Sequence, residues 1–291
     1  MKNMNHTIIL LLITALVLAG TITTASAADT GVEWDPVQPH SGEWSARCEH
    51  AAVSHGGYLW VLGGNDGINK NDVWKSADGI SWTQVTASAG WSARNSHAAV
   101  SHDGYLWVMG GTDGINKNDV WKSADGITWT QVTASAGWSA RRYHAAVSHD
   151  GYLWVMGGYT GSNLNDVWKS ADGITWTQVT ASAGWSARHA HGVVSHDGYL
   201  WVLGGYTGTR RNDVWKSSDG ASWTQVTSSA GWSARSYHGV VSHDGYLWVM
   251  GGYTNSNQND VWKSADGVSW TQVTASAGWR SEEHTSELQS P

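Results

Sequence analysis

Histidine, arginine and tyrosine supply most of the chemistry this chain could do, and they return at fixed intervals. His97 and His102 stand five residues apart, and the same pair recurs at His50/His55, His144/His149, His191/His196 and His238/His243. Clustered imidazoles could ligate a metal or exchange protons near neutral pH. On an extended strand, however, that spacing sends the two rings to opposite faces. A metal shared within one pair is therefore not expected, and structural hydrogen bonding is. Three residues before each first histidine stands an arginine: Arg47, Arg94, Arg141, Arg188 and Arg235. A ring of guanidinium forks could draw in anions. Arginines that are buried are ordinarily paired, so a structural role against a carboxylate or carbonyl is expected. Asn65–Asp72 carries enough oxygens for calcium. It lacks the EF-hand spacing and terminal glutamate, and its Asn and Asp suit a turn. Neither a metal nor a cofactor is expected. The one cysteine, Cys48, has no intrachain partner. In an exported protein a leftover cysteine suggests a free thiol or an intermolecular bridge. Its position is held by Asn95, Arg142, His189 and Ser236 elsewhere, which reads it as one variable residue among several.

These residues are positioned by a unit that copies itself. Trp91–Gly137 recurs almost letter for letter from Trp44, Trp138, Trp185 and Trp232, each start 47 residues after the last. A fixed period of this length marks stacked supersecondary units that share one core. In the second copy His97–His102 reads as a first strand. Asp103-Gly104 reads as a tight hairpin, because both central residues of a type I′ turn need positive φ. Tyr105–Met109 follows, ended by Gly110-Gly111, and a polar loop runs through Asn118. Asp119–Ser123 is the third strand, and Ile127–Thr133 the fourth after Ala124-Asp125-Gly126. Such a four-stranded sheet exposes both faces alone and buries both when stacked on neighbours. The expected fold is all-β, a β-propeller with five complete four-stranded blades spanning 44–279.

The unit resembles the kelch repeat of β-propellers. The resemblance rests on Arg94-x-x-His97, Gly110-Gly111, Asp119-Val120-Trp121 and Trp129, matched in all five copies from Arg47 to Trp270. It implies a propeller of six or seven blades. It also brings in the galactose oxidases, copper enzymes with a Tyr–Cys crosslink. Cys48 is the only candidate sulfur for that chemistry, and no matching ligand motif surrounds it. Ser123–Trp129 is similar to the Asp-box hairpin of sialidases but one residue short, so it is read as a turn. A sialidase would also need an arginine triad and a Tyr–Glu pair. The core offers only Glu33, Glu43 and Glu49.

The ends of the chain differ from the repeats. Met1–Ala27 reads as a signal peptide, with Lys2, an apolar Ile8–Ala19 and an Ala25-Ser26-Ala27 cleavage site. This places the protein outside the cell, in the periplasm or at the cell surface, with no membrane span after cleavage. Residues 28–43 form a leader in which Val32–Val37 resembles an orphan fourth strand. Arg280–Pro291 breaks the period and resembles a translated sequencing adapter. An orphan strand and a broken repeat together suggest an intact protein of six or more blades. The chain has 291 residues, 22 Trp, no Phe and a net charge of −7. It has no basic run, which argues against nucleic acid.

Variation among copies is confined to two segments. One is the pair between Arg and His: Cys48-Glu49, Asn95-Ser96, Arg142-Tyr143, His189-Ala190 and Ser236-Tyr237. The other follows the double glycine: Asn65–Lys70, Thr112–Lys117, Tyr159–Leu164, Tyr206–Arg211 and Tyr253–Gln258. Alternating strand directions put both on one face of the propeller. Function concentrates in loops on a rigid scaffold, and Tyr and Arg suit recognition. The candidate binding residues are Arg142, Tyr143, Tyr159, Tyr206, Arg210, Arg211, Tyr237 and Tyr253. The expectation is an exported, monomeric binding or scaffold protein whose partner is a protein or a glycan. No catalytic residue is assigned, because catalysis needs residues that break the repeat symmetry. The alternatives are a carbohydrate-directed enzyme with catalytic residues in a further C-terminal part, and a purely structural surface repeat protein.

Overall fold

The computed structural model describes residues 44–278. The segments expected to be a signal peptide, an orphan fourth strand and an adapter-like tail all fall outside the described residues. Within them lie twenty strands, numbered β1–β20 in chain order, and no helix. They form five four-stranded antiparallel sheets, each a meander of consecutive strands. Blade two is representative: β5 (Ala98–His102), β6 (Tyr105–Thr112), β7 (Asn116–Ser123) and β8 (Thr130–Thr133). The fold is a β-propeller, and β5 lies innermost, beside its counterparts β1 (Ala51–His55) and β9 (Ala145–His149). The strands β13 (Gly192–His196) and β17 (Gly239–His243) continue the inner row.

The first hairpin forms as expected, with Asp103 at φ +46° and Gly104 at +75°. The strand boundaries differ around the double glycine and at the fourth strand. Gly110-Gly111 does not end the second strand. It makes a bulge, where the register slips between Met109 and Gly111 and pairing resumes at Gly111↔Lys117. Both glycines have positive φ, and a Cβ on Gly111 would stand 2.6 Å from the Cβ of His97. A bulge of this kind re-aims a strand rather than stopping it. The long polar loop accordingly shrinks to Asp113–Ile115. The fourth strand starts at Thr130, not Ile127. The amides of Ile127 and Thr128 both donate to the Asp125 carboxylate at 2.8 Å, which removes them from the ladder.

Neighbouring blades are joined by one repeated set of contacts. The second-strand tryptophan of each blade lies under the Asp-Gly turn of the next, as Trp107 lies under Gly173. A histidine on the inner strand contacts a serine of the next blade, His102 Nδ1 to Ser148 Oγ at 2.8 Å. The linking segment stitches two sheets at once. Arg94 N donates to Lys70 O of blade one, and Asn95 N to Thr112 O of blade two. Linker tryptophans Trp91, Trp138, Trp185 and Trp232 are fully buried, with Trp91 edge-on to Trp129 at 5.9 Å. Four such joints are formed. Among the described residues β17 and β1 are not packed together in this way. Trp248 is correspondingly half-buried, whereas Trp60, Trp107, Trp154 and Trp201 are 4, 3, 2 and 3% exposed.

Candidate functional site: the loop face

The two variable segments of each copy meet as cross-strand pairs. Isolated bridges join Cys48 to Asn65, Asn95 to Thr112, Arg142 to Tyr159, His189 to Tyr206 and Ser236 to Tyr253. The second residue of each variable pair lies further in. Glu49, Ser96, Tyr143, Ala190 and Tyr237 all take left-handed backbone, with φ from +50 to +60°. Each of the last four donates its amide to the carbonyl of the one before, at 2.8 to 3.0 Å. The backbone there is set by this inner hydrogen-bonded arc, so the side chains are free to differ.

Those side chains converge. Tyr143 Oη donates to Glu49 Oε1 at 2.8 Å, across two blades, and Ser96 Oγ donates to Glu49 Oε2 at 2.7 Å. The Tyr143 ring stands edge-on to Tyr237 at 5.5 Å and tilted to His189 at 5.7 Å. His189 also meets Tyr159 at 5.4 Å and Tyr206 at 5.3 Å. The Arg142 guanidinium lies 5.5 Å from the Tyr143 ring centre and 5.6 Å from that of Tyr159. Arg210 stacks on Tyr253 at 4.4 Å and donates to Asn255 Oδ1 at 2.9 Å. Arg211 Nε donates to Thr207 Oγ1 at 2.8 Å. The eight residues singled out in the sequence thus lie on one face, and Arg142, Tyr143, Tyr159, Tyr206 and Tyr237 form a continuous cluster. Tyr237 is 46% and Tyr253 37% exposed.

Glu49 and His189 belong to this cluster and were not singled out. Both occupy the variable pair, where one is the only acid and the other the only histidine; that was the available signal. Burial, and then the Glu49 charge, raise the Tyr143 phenol above its ordinary range. Tyr143 therefore stays protonated and acts as a hydrogen-bond donor. Burial, and then Arg142, lower the His189 imidazole. It is neutral at pH 7, and its Nδ1 lies 2.7 Å from Asn163 Oδ1, which makes Nδ1 the protonated nitrogen.

The repeated arginines are engaged within the framework. Arg141 is fully buried and forks onto Asp166 with two bonds of 2.7 Å, adding one to Gly157 O at 2.9 Å. Arg47, Arg94, Arg188 and Arg235 pair likewise with Asp72, Asp119, Asp213 and Asp260. The structural hydrogen bonding expected of the histidine pairs is met at His102, which contacts Ser148, but not at the inner members: both ring nitrogens of His97, His144, His191 and His238 are buried without a hydrogen-bond partner among the described residues. Desolvation first, then the adjacent arginine, lowers His97, His144 and His238 to about 3. In the Asn65–Asp72 segment, Lys70 Nζ lies 2.9 Å from Asp66 Oδ2, so an ammonium stands where a cation would. Among the described residues no cluster of three or more His, Cys, Asp or Glu could hold a metal ion. Nor is any helix there long and apolar enough to cross a membrane.

Comparison with known proteins agrees with this architecture. A family model for the KLHDC2/KLHL20/DRC7 Kelch-repeats domain matches residues 27–183, and one for the Kelch motif matches residues 187–216 and 234–263. No curated protein matches the chain. With more than half its length matched and the repeat seen blade by blade, the chain belongs to the kelch-repeat family of β-propellers.

Proposed function

We propose that the loop face is a ligand-binding surface, and that the protein is an exported, non-catalytic binding scaffold for a protein or a glycan. Kelch propellers are generally protein-binding scaffolds, and the repeat framework here fits that class. The observation that carries the reading is the meeting of both variable segments at the bridged pairs on one face. Framework residues elsewhere are copied with little change. Aromatic rings backed by guanidinium groups bring contact area at low entropic cost. The protonated Tyr143 and the engagement of Glu49 by two hydroxyls favour recognition over nucleophilic chemistry.

The test is a binding screen against glycan and protein libraries, repeated with Tyr143, Tyr159, Tyr206, Tyr237 and Tyr253 all changed to Ala. A ligand captured by the parent and lost by the variant at unchanged melting temperature supports the face. Undiminished binding by a folded variant refutes it.

A further inference from the structure

The loop face is electrostatically divided. In blades one and two its lysines are neutralised: Lys70 pairs with Asp66 at 2.9 Å and Lys117 with Asp113 at 2.8 Å. In blades three to five the variable segments carry Arg142, Arg210 and Arg211 and no acidic residue at all. The arginine ion pairs among the described residues are those of the framework. Arg142 makes no side-chain hydrogen bond there either, and its Nε is buried without an acceptor, as is that of Arg210. Guanidinium groups held against phenol rings without a carboxylate are preorganised for one.

The same arc is periodic. Tyr159, Tyr206 and Tyr253 hold equivalent positions in three consecutive blades. Arg142 accompanies the first, neutral His189 the second and Arg210 the third. Apart from the tyrosines, Arg210 and Arg211, their segments hold Thr, Gly, Ser, Asn and Gln, with Leu164 the one aliphatic residue. The surface between the tyrosines is therefore polar, with flat rings recurring at blade spacing. We propose that the arc from Arg142 to Tyr253 binds a polymer of carboxylate-bearing sugars, a polyuronate. Sugar rings lie on the tyrosines while carboxylates meet the Arg142 and Arg210 forks. This rests on the loop face being the binding surface. Glu49, at the inner edge of the arc, opposes such a ligand and limits how closely it approaches the axis.

Short oligogalacturonates and alginate oligomers, titrated into the full chain by calorimetry, test it. Methyl-esterified oligogalacturonate and poly-L-glutamate serve as comparators. Binding of a uronate oligomer is expected, weakened about tenfold by esterification, as the loss of a charged fork implies. Arg142→Gln and Arg210→Gln should each weaken it roughly 5- to 20-fold, and Glu49→Gln should strengthen it a few-fold. Equal or tighter binding of poly-L-glutamate overturns the sugar class and points to an acidic peptide. Equal binding of the ester shows that carboxylates are not read, and also overturns it. If neither uronate binds at millimolar concentration the proposal fails. The face assignment fails with it only if the tyrosine variant also keeps every ligand found in the screen.

Discussion

Gly151 and Gly173 offer a matched pair for testing how the blades lock together. Both have φ +74°. A methyl group added at Gly151 meets nothing within 4 Å, whereas one at Gly173 would stand 2.4 Å from Cζ3 and 3.0 Å from Cη2 of Trp107. Left-handed backbone costs an L-residue about 1–2 kcal/mol, and that cost is common to both sites. At Gly173 the methyl also overpacks a ring that is 3% exposed and wedged between two sheets. Overpacking of this kind costs ~1–3 kcal/mol more. For a domain of this size each kcal/mol lowers Tm by about 2–4 °C. Gly173→Ala should therefore melt roughly 2–12 °C below Gly151→Ala, followed by circular dichroism at one protein concentration. The excess should also depend on Trp107. In Gly173→Ala/Trp107→Leu the two costs should sum to less than the separate losses, by about 1–3 kcal/mol. Equal melting of the two glycine variants, or strict additivity with Trp107→Leu, would refute the idea that turn and tryptophan form the joint.

Two further outcomes follow from the buried polar groups. Arg141→Leu strands the Asp166 carboxylate beside a fully buried site and should cost about 3–5 kcal/mol. Arg141→Leu/Asp166→Leu should recover much of that, and a urea midpoint near the parent's for the single variant contradicts the role. The second outcome concerns acid. His97, His144 and His238 titrate at about 3 when folded, against 6.5 for the free side chain. Below 6.5 the unfolded chain takes up protons that the folded chain refuses. Stability is then highest above pH 6.5 and falls as pH drops toward 3, by up to ~1.4 kcal/mol per pH unit for each histidine. Urea midpoints should decline already between pH 6.5 and 5, above the carboxylate range, and less so in His144→Asn; a flat profile there rules this out.

The architecture was legible because the repeat announces it. Five copies in register, each with a strong hairpin signal at Asp103-Gly104 or its equivalent, leave little choice of fold. The errors came where one residue serves two purposes. Gly110-Gly111 reads as punctuation in a single copy. The bulge sets its positive φ, and a Cβ there would run into His97 from the linker of its own blade and His144 from the next. Ile127 and Thr128 read as strand, yet their amides are taken by a carboxylate two or three residues back. The candidate face was visible as variation between copies. What variation could not display was who meets whom, because Glu49 and Tyr143 lie 94 residues apart.

That separation says what kind of object the site is. A framework position in this propeller touches the blade before and the blade after, so any change there must suit two neighbours at once. The positions that differ are those whose backbone is already held, by a bridge within the blade or by the inner arc of amides. Only side chains remain to be chosen, and they can be chosen one blade at a time. Yet the contacts they make skip blades: Glu49 of blade one reaches Tyr143 of blade three, and Tyr143 reaches Tyr237 of blade five. No repeat contains the site, and no adjacent pair of repeats does either. It exists because four joints of the same geometry curve five sheets around a common axis. A substitution at a joint such as Gly173 should therefore disturb the loop face without touching it.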